Sequence, residues 1–221
     1  MSRNKYISVN LFLIIGISIL FTSCASQQNY LFNLDDVKRA VINYEENGQY
    51  HKELREVVEK AEREFSQITP GEKSVVIFDV DETSLSNYPF IKQMDFGYVP
   101  EQYDIWEKKG EAKGIKEVLE LYNYLMEKGF HTIFITGRKL PSYKATKNNL
   151  VAEGFSGFDT LIVKTEDDFN KTALEYKSAK RTELTKSGYN IVGTVGDQWS
   201  DLDGPFHGIQ VKIPNYLYMI K

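Results

Sequence analysis

Three features of this sequence predict an α/β domain built on a parallel sheet with helices on both faces. From residue 74 onward, short runs rich in β-branched and aromatic residues alternate with segments of helical periodicity. Strands separated by helices require crossover connections, so neighbouring strands run parallel and are buried on both faces. Acids, glycines and hydroxyl residues recur where those runs end, at the strand ends where such sheets hold ligands.

The elements follow in order. Leu34 to Thr69 reads as a helical extension interrupted near Asn47-Gly48, with Glu53, Leu54, Val57, Val58, Ala61 and Phe65 at helical spacing. Pro70-Gly71 stops it. Strand Ser74 to Asp79 comes next, then a helix near Ile115 to Lys128, strand His131 to Thr136 and a helix near Pro141 to Glu153. Strand Thr160 to Val163, helix Tyr176 to Ser187, strand Asn190 to Val195 and a short strand near Ile209 to Ile213 complete the pattern. The connection from Thr83 to Gly114 is long and holds Tyr88, Phe90, Phe96, Tyr98, Tyr103 and Trp106. A connection of that length in a compact domain is usually functional, and here it reads as a small cap, about residues 84–114. For most of its rings the expectation is packing of the insertion against the core.

The chain has 221 residues, 42% hydrophobic and 26% charged, which suits one globular domain with a sizeable core. Arg3 and Lys5 precede an apolar run from Tyr6 to Phe21, then Thr22, Ser23 and Cys24, the layout of an export signal over residues 1–23. The run is shorter than the roughly 20 residues of a spanning helix. A polar linker covers residues 24–33, and the globular part residues 34–221. Cleavage before Cys24 removes two basic side chains and no acid, leaving 25 basic against 31 acidic ones. That balance argues against a nucleic-acid polymer as partner.

The stretch Ser74 to Asn87, SVVIFDVDETSLSN, carries most of the chemistry. Side chains two apart on extended backbone share a face, so Asp79 and Asp81 are expected to point toward one reaction centre. Like charges so close resist joint ionisation, which suggests a bound cation, or one carboxyl kept protonated as a general acid, or both. Thr136-Gly137-Arg138 ends another strand, where a hydroxyl and free backbone N–H groups suit a phosphoryl oxygen. Lys177, expected at the head of its helix, can neutralise phosphate charge. Asp197 and Asp201, in Gly196-Asp197-Gln198-Trp199-Ser200-Asp201, can hold a cation, and oxygen-only ligands favour Mg²⁺. Taken singly, Thr136-Gly137 is an ordinary turn, Lys177 a solvated lysine and Asp201 a helix cap. Their joint order at strand and helix ends argues otherwise.

DVDET, TGR, YKSAKR and GDQWSDL, in that order, resemble the haloacid dehalogenase (HAD) superfamily of aspartate-nucleophile phosphohydrolases. More narrowly, the chain is similar to the acid phosphatase group, subfamily IIIB, that joins bacterial class B and class C lipoprotein phosphatases to plant acid phosphatases and vegetative storage proteins. DETSLSN and the closing VKIPNYLYMI fit the plant branch best. The resemblance runs from about Leu34 to the C-terminus and implies a three-layer, Rossmann-like (HAD-like) fold. It implies Asp79 as a nucleophile forming an aspartyl-phosphate, and Asp81 as the acid that serves the leaving oxygen and then the base for water. It implies Mg²⁺ on the Asp79 carboxylate, the Asp81 carbonyl and the Asp197 carboxylate, with Asp201 a ligand or close by. Thr136, the Gly137 N–H and Lys177 would bind the non-bridging oxygens. The substrate class implied is small phosphomonoesters, nucleoside monophosphates first, with Tyr103 and Trp106 as rings able to stack on a base.

Leu20-Phe21-Thr22-Ser23-Cys24-Ala25 resembles the lipobox of bacterial lipoproteins, which implies lipidation of Cys24, a membrane anchor and, from Ala25 and Ser26, the outer membrane. Phe21 departs from the usual residue at its position, so a secreted or periplasmic product is the alternative. Other phosphatase chemistries fit poorly. Cys24, the one cysteine, lies in the signal, and His51, His131 and His207 are scattered. A non-catalytic storage or binding protein on the same fold is the alternative in a different class. A phospho-accepting signalling domain needs a cytosolic phosphodonor, which export would deny.

Overall fold

Five parallel strands, in the order β5-β4-β1-β6-β7, form the sheet of the computed structural model, which describes residues 31–220. The strands are β1 Ser74–Phe78, β4 His131–Lys139, β5 Thr160–Lys164, β6 Asn190–Gly196 and β7 Ile209–Lys212. A two-stranded antiparallel ribbon, β2 Leu85–Ser86 and β3 Lys113–Gly114, stands apart from it. The predicted export segment, Cys24 and most of the linker lie outside the described residues. Among the described residues, no helix is long and apolar enough to cross a membrane.

Alternation along β1 divides the core. Val76 and Phe78 face the larger cluster, packed by α2 Gln49–Phe65, α5 Lys116–Glu127 and α6 Tyr143–Ala152. Val75 and Ile77 face the smaller one, where Tyr176 and Leu184 of α7 Ala173–Lys186 close over them. Both faces are therefore covered, and a uniformly apolar strand is what that requires. The helical extension consists of α1 Leu34–Glu46 and α2, broken at Gly48, whose φ of +90° suits glycine. Tyr50, Leu54, Val58, Ala61 and Phe65 recur every three or four positions in α2 and are all buried. Phe65→Ala would cost about 3–5 kcal/mol, the usual range for a fully buried ring.

The structure differs from the sequence expectation in three places. The insertion is not a loop: it folds as α3 Tyr88–Gln93 and α4 Pro100–Lys109 between the two ribbon strands. Strand β4 runs through Gly137 and Arg138 to Lys139 rather than stopping at Thr136. Helix α7 starts at Ala173, capped by Thr172 in a reciprocal box with Glu175, so Lys177 sits in its second turn instead of at its head.

Candidate active site

The strand ends deliver four acids, and the structure sorts them into two environments. The amide of Asp79 still donates to Val195 O at 2.9 Å, which fixes the residue just past β1. One carboxylate oxygen accepts from Lys177 Nζ at 2.5 Å and the other from Thr83 Oγ1 at 3.4 Å. Lys177 also donates to Asp201 Oδ1 at 2.5 Å, and Asp201 Oδ2 accepts from the Gln198 amide. Asp197 accepts from Thr83 Oγ1 and, at 2.6 Å each, from Gln198 Nε2 and Asn215 Nδ2. Asp79, Asp197 and Asp201 are all buried, and each brings an oxygen within 4.8 Å of the others'. Arg181, buried beneath, donates to the carbonyls of Asp201 and Asp203 and so holds the segment around α8, Trp199–Leu202.

Three buried carboxylates around one ammonium leave an excess of negative charge. Burial drives the Asp79 carboxyl well above the ordinary carboxylate range despite Lys177, with Asp201, Asp197 and Asp81 adding to it. Burial, then Asp201, pushes Asp197 up to about 6. Burial alone would lower Lys177, but Asp201 and Asp79 outweigh it and raise the ammonium above its ordinary value. An all-oxygen, electron-rich cluster of this kind fits a hard divalent cation.

Asp81 stands outside that cluster. Its carboxylate accepts from Arg138 Nε at 3.1 Å and Nη2 at 2.7 Å, from Asn87 Nδ2 at 2.8 Å and from Thr136 Oγ1 at 3.4 Å. Burial works to raise this carboxyl, but the charge and hydrogen bonds of Arg138 prevail and hold it below its ordinary value. Because β4 continues past Thr136, alternation puts Thr136 and Arg138 on one side of the strand. The Thr136 hydroxyl is thereby engaged with Asp81 and with the Arg138 amide at 3.1 Å.

Asp79, Asp81, Gly137, Lys177, Asp197 and Asp201 line one cavity of about 510 Å³. Tyr103 lines it too, whereas Thr136 and Trp106 are not among its lining residues. The Trp106 ring stacks on Phe90 at 5.1 Å, and its Nε1 donates to Asn87 Oδ1 at 2.7 Å, so it packs the insertion. Sequence reasoning assigned no role to Arg138, Asn87, Glu82, Gln198 or the C-terminal segment. For Arg138 a signal existed, a charged residue two positions beyond Thr136 on a buried strand. For the C-terminal segment, Leu217 to Ile220, which supplies part of the lining, the signal was its apolar composition alone.

Comparison with known proteins gives concordant results. The family model described as HAD superfamily, subfamily IIIB (Acid phosphatase) matches residues 17–221. The chain is 36% identical to the stem 28 kDa glycoprotein of Glycine max over 193 residues, 85% of this chain and 76% of that one. It is 36% identical to acid phosphatase 1 of Solanum lycopersicum (77% and 69%) and 39% identical to vegetative storage protein 1 of Arabidopsis thaliana (66% and 56%). Among solved structures, the class C acid phosphatase from Bacillus anthracis with tungstate bound superposes with a TM-score of 0.68, covering 84% of this chain and 86% of that one at 23% identity. That likeness shows the fold.

Proposed function

The chain belongs to the subfamily IIIB acid phosphatases of the HAD superfamily, which are phosphomonoester hydrolases; from that membership we propose a Mg²⁺-dependent reaction on small phosphomonoesters, through an aspartyl-phosphate on Asp79. The observation that carries the reading is the buried trio Asp79, Asp197 and Asp201 around Lys177, with Asp81 held apart by Arg138. Two carboxylates two residues apart stand in different surroundings, Asp79 against Lys177 and the other buried acids and Asp81 against Arg138, which supports separate roles as nucleophile and acid–base group.

Asp79, Asp197 and Asp201, with the Asp81 carbonyl, would hold Mg²⁺. Once bound, the ion neutralises charge on the carboxylates and on the phosphoryl oxygens. Lys177, at 2.5 Å from Asp79, does the same for a phosphoryl group brought up to that carboxylate. An Asp79 oxygen attacks phosphorus and the bond to the leaving oxygen breaks. Asp81 is ionised beside Arg138 in the free protein, and negative charge arriving with the substrate favours its protonation. It gives that proton to the leaving oxygen. A water then attacks phosphorus, Asp81 takes the proton back, and the Asp79–phosphorus bond breaks to release phosphate. Thr136 fixes Asp81 and Arg138 from behind, while the Gly137 N–H serves a non-bridging oxygen.

Magnitudes support this division of labour. Enzymes accelerate phosphomonoester hydrolysis by up to about 10²¹, whereas one positioned acid contributes about 10²–10⁴. Charge neutralisation and positioning carry the rest, which explains why a lysine and an acid cluster converge on one point.

We further infer that residues 1–23 direct export, that Cys24 carries a lipid anchor in the outer membrane, and that residues 34–221 are the catalytic domain. Nucleoside monophosphates fit a cavity of about 510 Å³ lined in part by Tyr103. Release of phosphate from an aryl phosphate tests the mechanism: Asp79→Asn, or a chelator, should abolish it, and activity surviving both would overturn the reading. A panel of nucleotides and sugar phosphates tests the substrate; cleavage of aryl phosphate with every nucleotide inert would remove nucleotides from it.

A further inference from the structure

Because the sheet is parallel, connections leaving the strands' carboxyl ends emerge on the side of the cavity, and connections entering the strands emerge on the opposite side. Exposed apolar side chains divide unevenly between the two. Tyr98 and Ile105 in the insertion after β1, Leu140 after β4, Phe169 after β5, Trp199 after β6 and Met219 after β7 are each more than half exposed. Tyr98 and Met219 also line the cavity, so this apolar surface stands around its mouth. Among the described residues, the connections into the strands carry no large apolar side chain so exposed, and Phe206, ahead of β7, comes nearest at 48%.

The first helix brings the chain in at the same end. Lys38 of α1 donates to Asp95 Oδ2 at 2.6 Å, and Glu46, its last residue, accepts from Tyr88 Oη at 2.7 Å and from Lys92 Nζ at 2.5 Å, all three partners lying in the insertion. Leu34, where α1 begins, is ten residues from Cys24. A chain spans at most about 3.3–3.6 Å per residue, so a lipid on Cys24 holds a bilayer within about 35 Å of Leu34. Such a tether keeps this end of the domain at high effective concentration beside the bilayer, and modest apolar contacts then suffice to seat it. Tryptophan and tyrosine, apolar in the ring and polar at the tip, settle at the headgroup level.

We propose that the catalytic end of the domain docks on the bilayer that carries the Cys24 lipid, with Tyr98, Ile105, Leu140, Phe169, Trp199 and Met219 entering the headgroup layer. The proposal rests on the anchor reading above, and it goes beyond that reading by fixing which face turns to the membrane. The partner is the lipid surface itself. The cavity mouth then opens into the headgroup layer, and substrate reaches Asp79 from there.

Cys24 is the one cysteine, so its lipidation leaves no free thiol and a cysteine placed elsewhere is the single labelling point. The protein, expressed with its signal, is reconstituted in phosphatidylcholine vesicles that contain phosphatidylcholine spin-labelled near the headgroup. It carries a bimane probe at Leu140→Cys or, on the opposite side, at Ser187→Cys, an exposed position at the end of α7. The nitroxide should quench the Leu140→Cys probe at least about twofold more than the Ser187→Cys probe, and Ile105→Glu combined with Phe169→Glu should bring the two to parity. Equal quenching at the two positions, or a preference that survives the double variant, would overturn the docking. A Leu140→Cys probe that the nitroxide misses, and that iodide reaches less as protein density on the vesicle rises, would assign the face to a second copy and overturn the bilayer as partner. The mass of the N-terminal peptide reads the anchor separately. An unmodified Cys24 would overturn the anchor reading and the proposal with it, whereas a lipidated protein with equal quenching would overturn the docking alone.

Discussion

Arg138→Met removes the guanidinium that holds Asp81 and keeps most of the volume of the side chain. The Arg138 side chain is 1% exposed, and its Nη1 also donates to Thr146 Oγ1 at 3.1 Å, so no water stands ready to replace it. Breaking a buried ion pair by deleting one partner costs about 3–5 kcal/mol, because the other charge is left uncompensated. Asp81 keeps 27% of its side-chain exposure and can be partly hydrated, which favours the lower end, about 3 kcal/mol. A domain stable by about 5–15 kcal/mol survives that loss. Denaturant unfolding of the two proteins, with equal slopes, measures it directly. The catalytic consequence is separable. A misplaced acid–base group costs up to about 10²–10⁴ in rate, and the loss is greatest for the ester whose leaving oxygen most needs a proton. Phenyl phosphate should therefore suffer more than nitrophenyl phosphate. A variant that loses less than about 1 kcal/mol, or that slows both esters equally, would refute the assignment of Arg138 as the group that holds Asp81 in its acid–base position.

Gly196→Ala should abolish activity with little change of fold, since a Cβ there would lie 2.4 Å from Asp201 Cβ and push that carboxylate out of the cluster; circular dichroism together with phosphate release checks it. Asp197→Asn should weaken Mg²⁺ binding at least tenfold while raising the thermal midpoint of the chelated protein, because it relieves crowding of buried like charges; calorimetry reads both. In chelator, the midpoint should rise as pH falls through about 8 and then about 6. Glu82 is raised to about 8 by burial and Asp197 to about 6, so the folded state binds their protons more tightly than the unfolded chain does. Added Mg²⁺ should stabilise more at about pH 8 than at about pH 5, since its ligands must be ionised; a chelated midpoint that climbs with pH across that range would contradict the burial assigned to both groups.

The parallel sheet and the delivery of Asp79, Asp81 and Asp197 to strand ends were legible because each rests on local pattern: apolar runs, helical spacing and an acid or glycine at the boundary. Boundaries failed where a signal was present but outweighed. Thr172-Ala173-Leu174-Glu175 is a capping box that moves the start of α7 ahead of Tyr176, and the interruption at Gly137 hid the continuation of β4. The insertion read as a loop because its aromatics lack a clean period, although Pro100 at the first turn of α4 marked a helix start. Trp106 illustrates a different limit. Its composition suited a stacking platform, yet its neighbours Phe90 and Asn87 claim its face and its N–H. The place of the C-terminal segment beside the site could not be read, since Tyr218 meets Glu82 across 136 positions and no local pattern encodes that pairing.

The proposed nucleophile is Asp79, whose carboxylate takes the phosphoryl group during catalysis. Acid quench of the full chain during steady turnover of nitrophenyl phosphate with Mg²⁺, followed by proteolysis and mass spectrometry, tests it most directly. The expected result is one phosphoryl group on the peptide holding Asp79, absent in Asp79→Asn and increased in Asp81→Asn, where the intermediate forms from a good leaving group but hydrolyses slowly. A phosphoryl group on any other residue, or turnover sustained by Asp79→Asn, would contradict it.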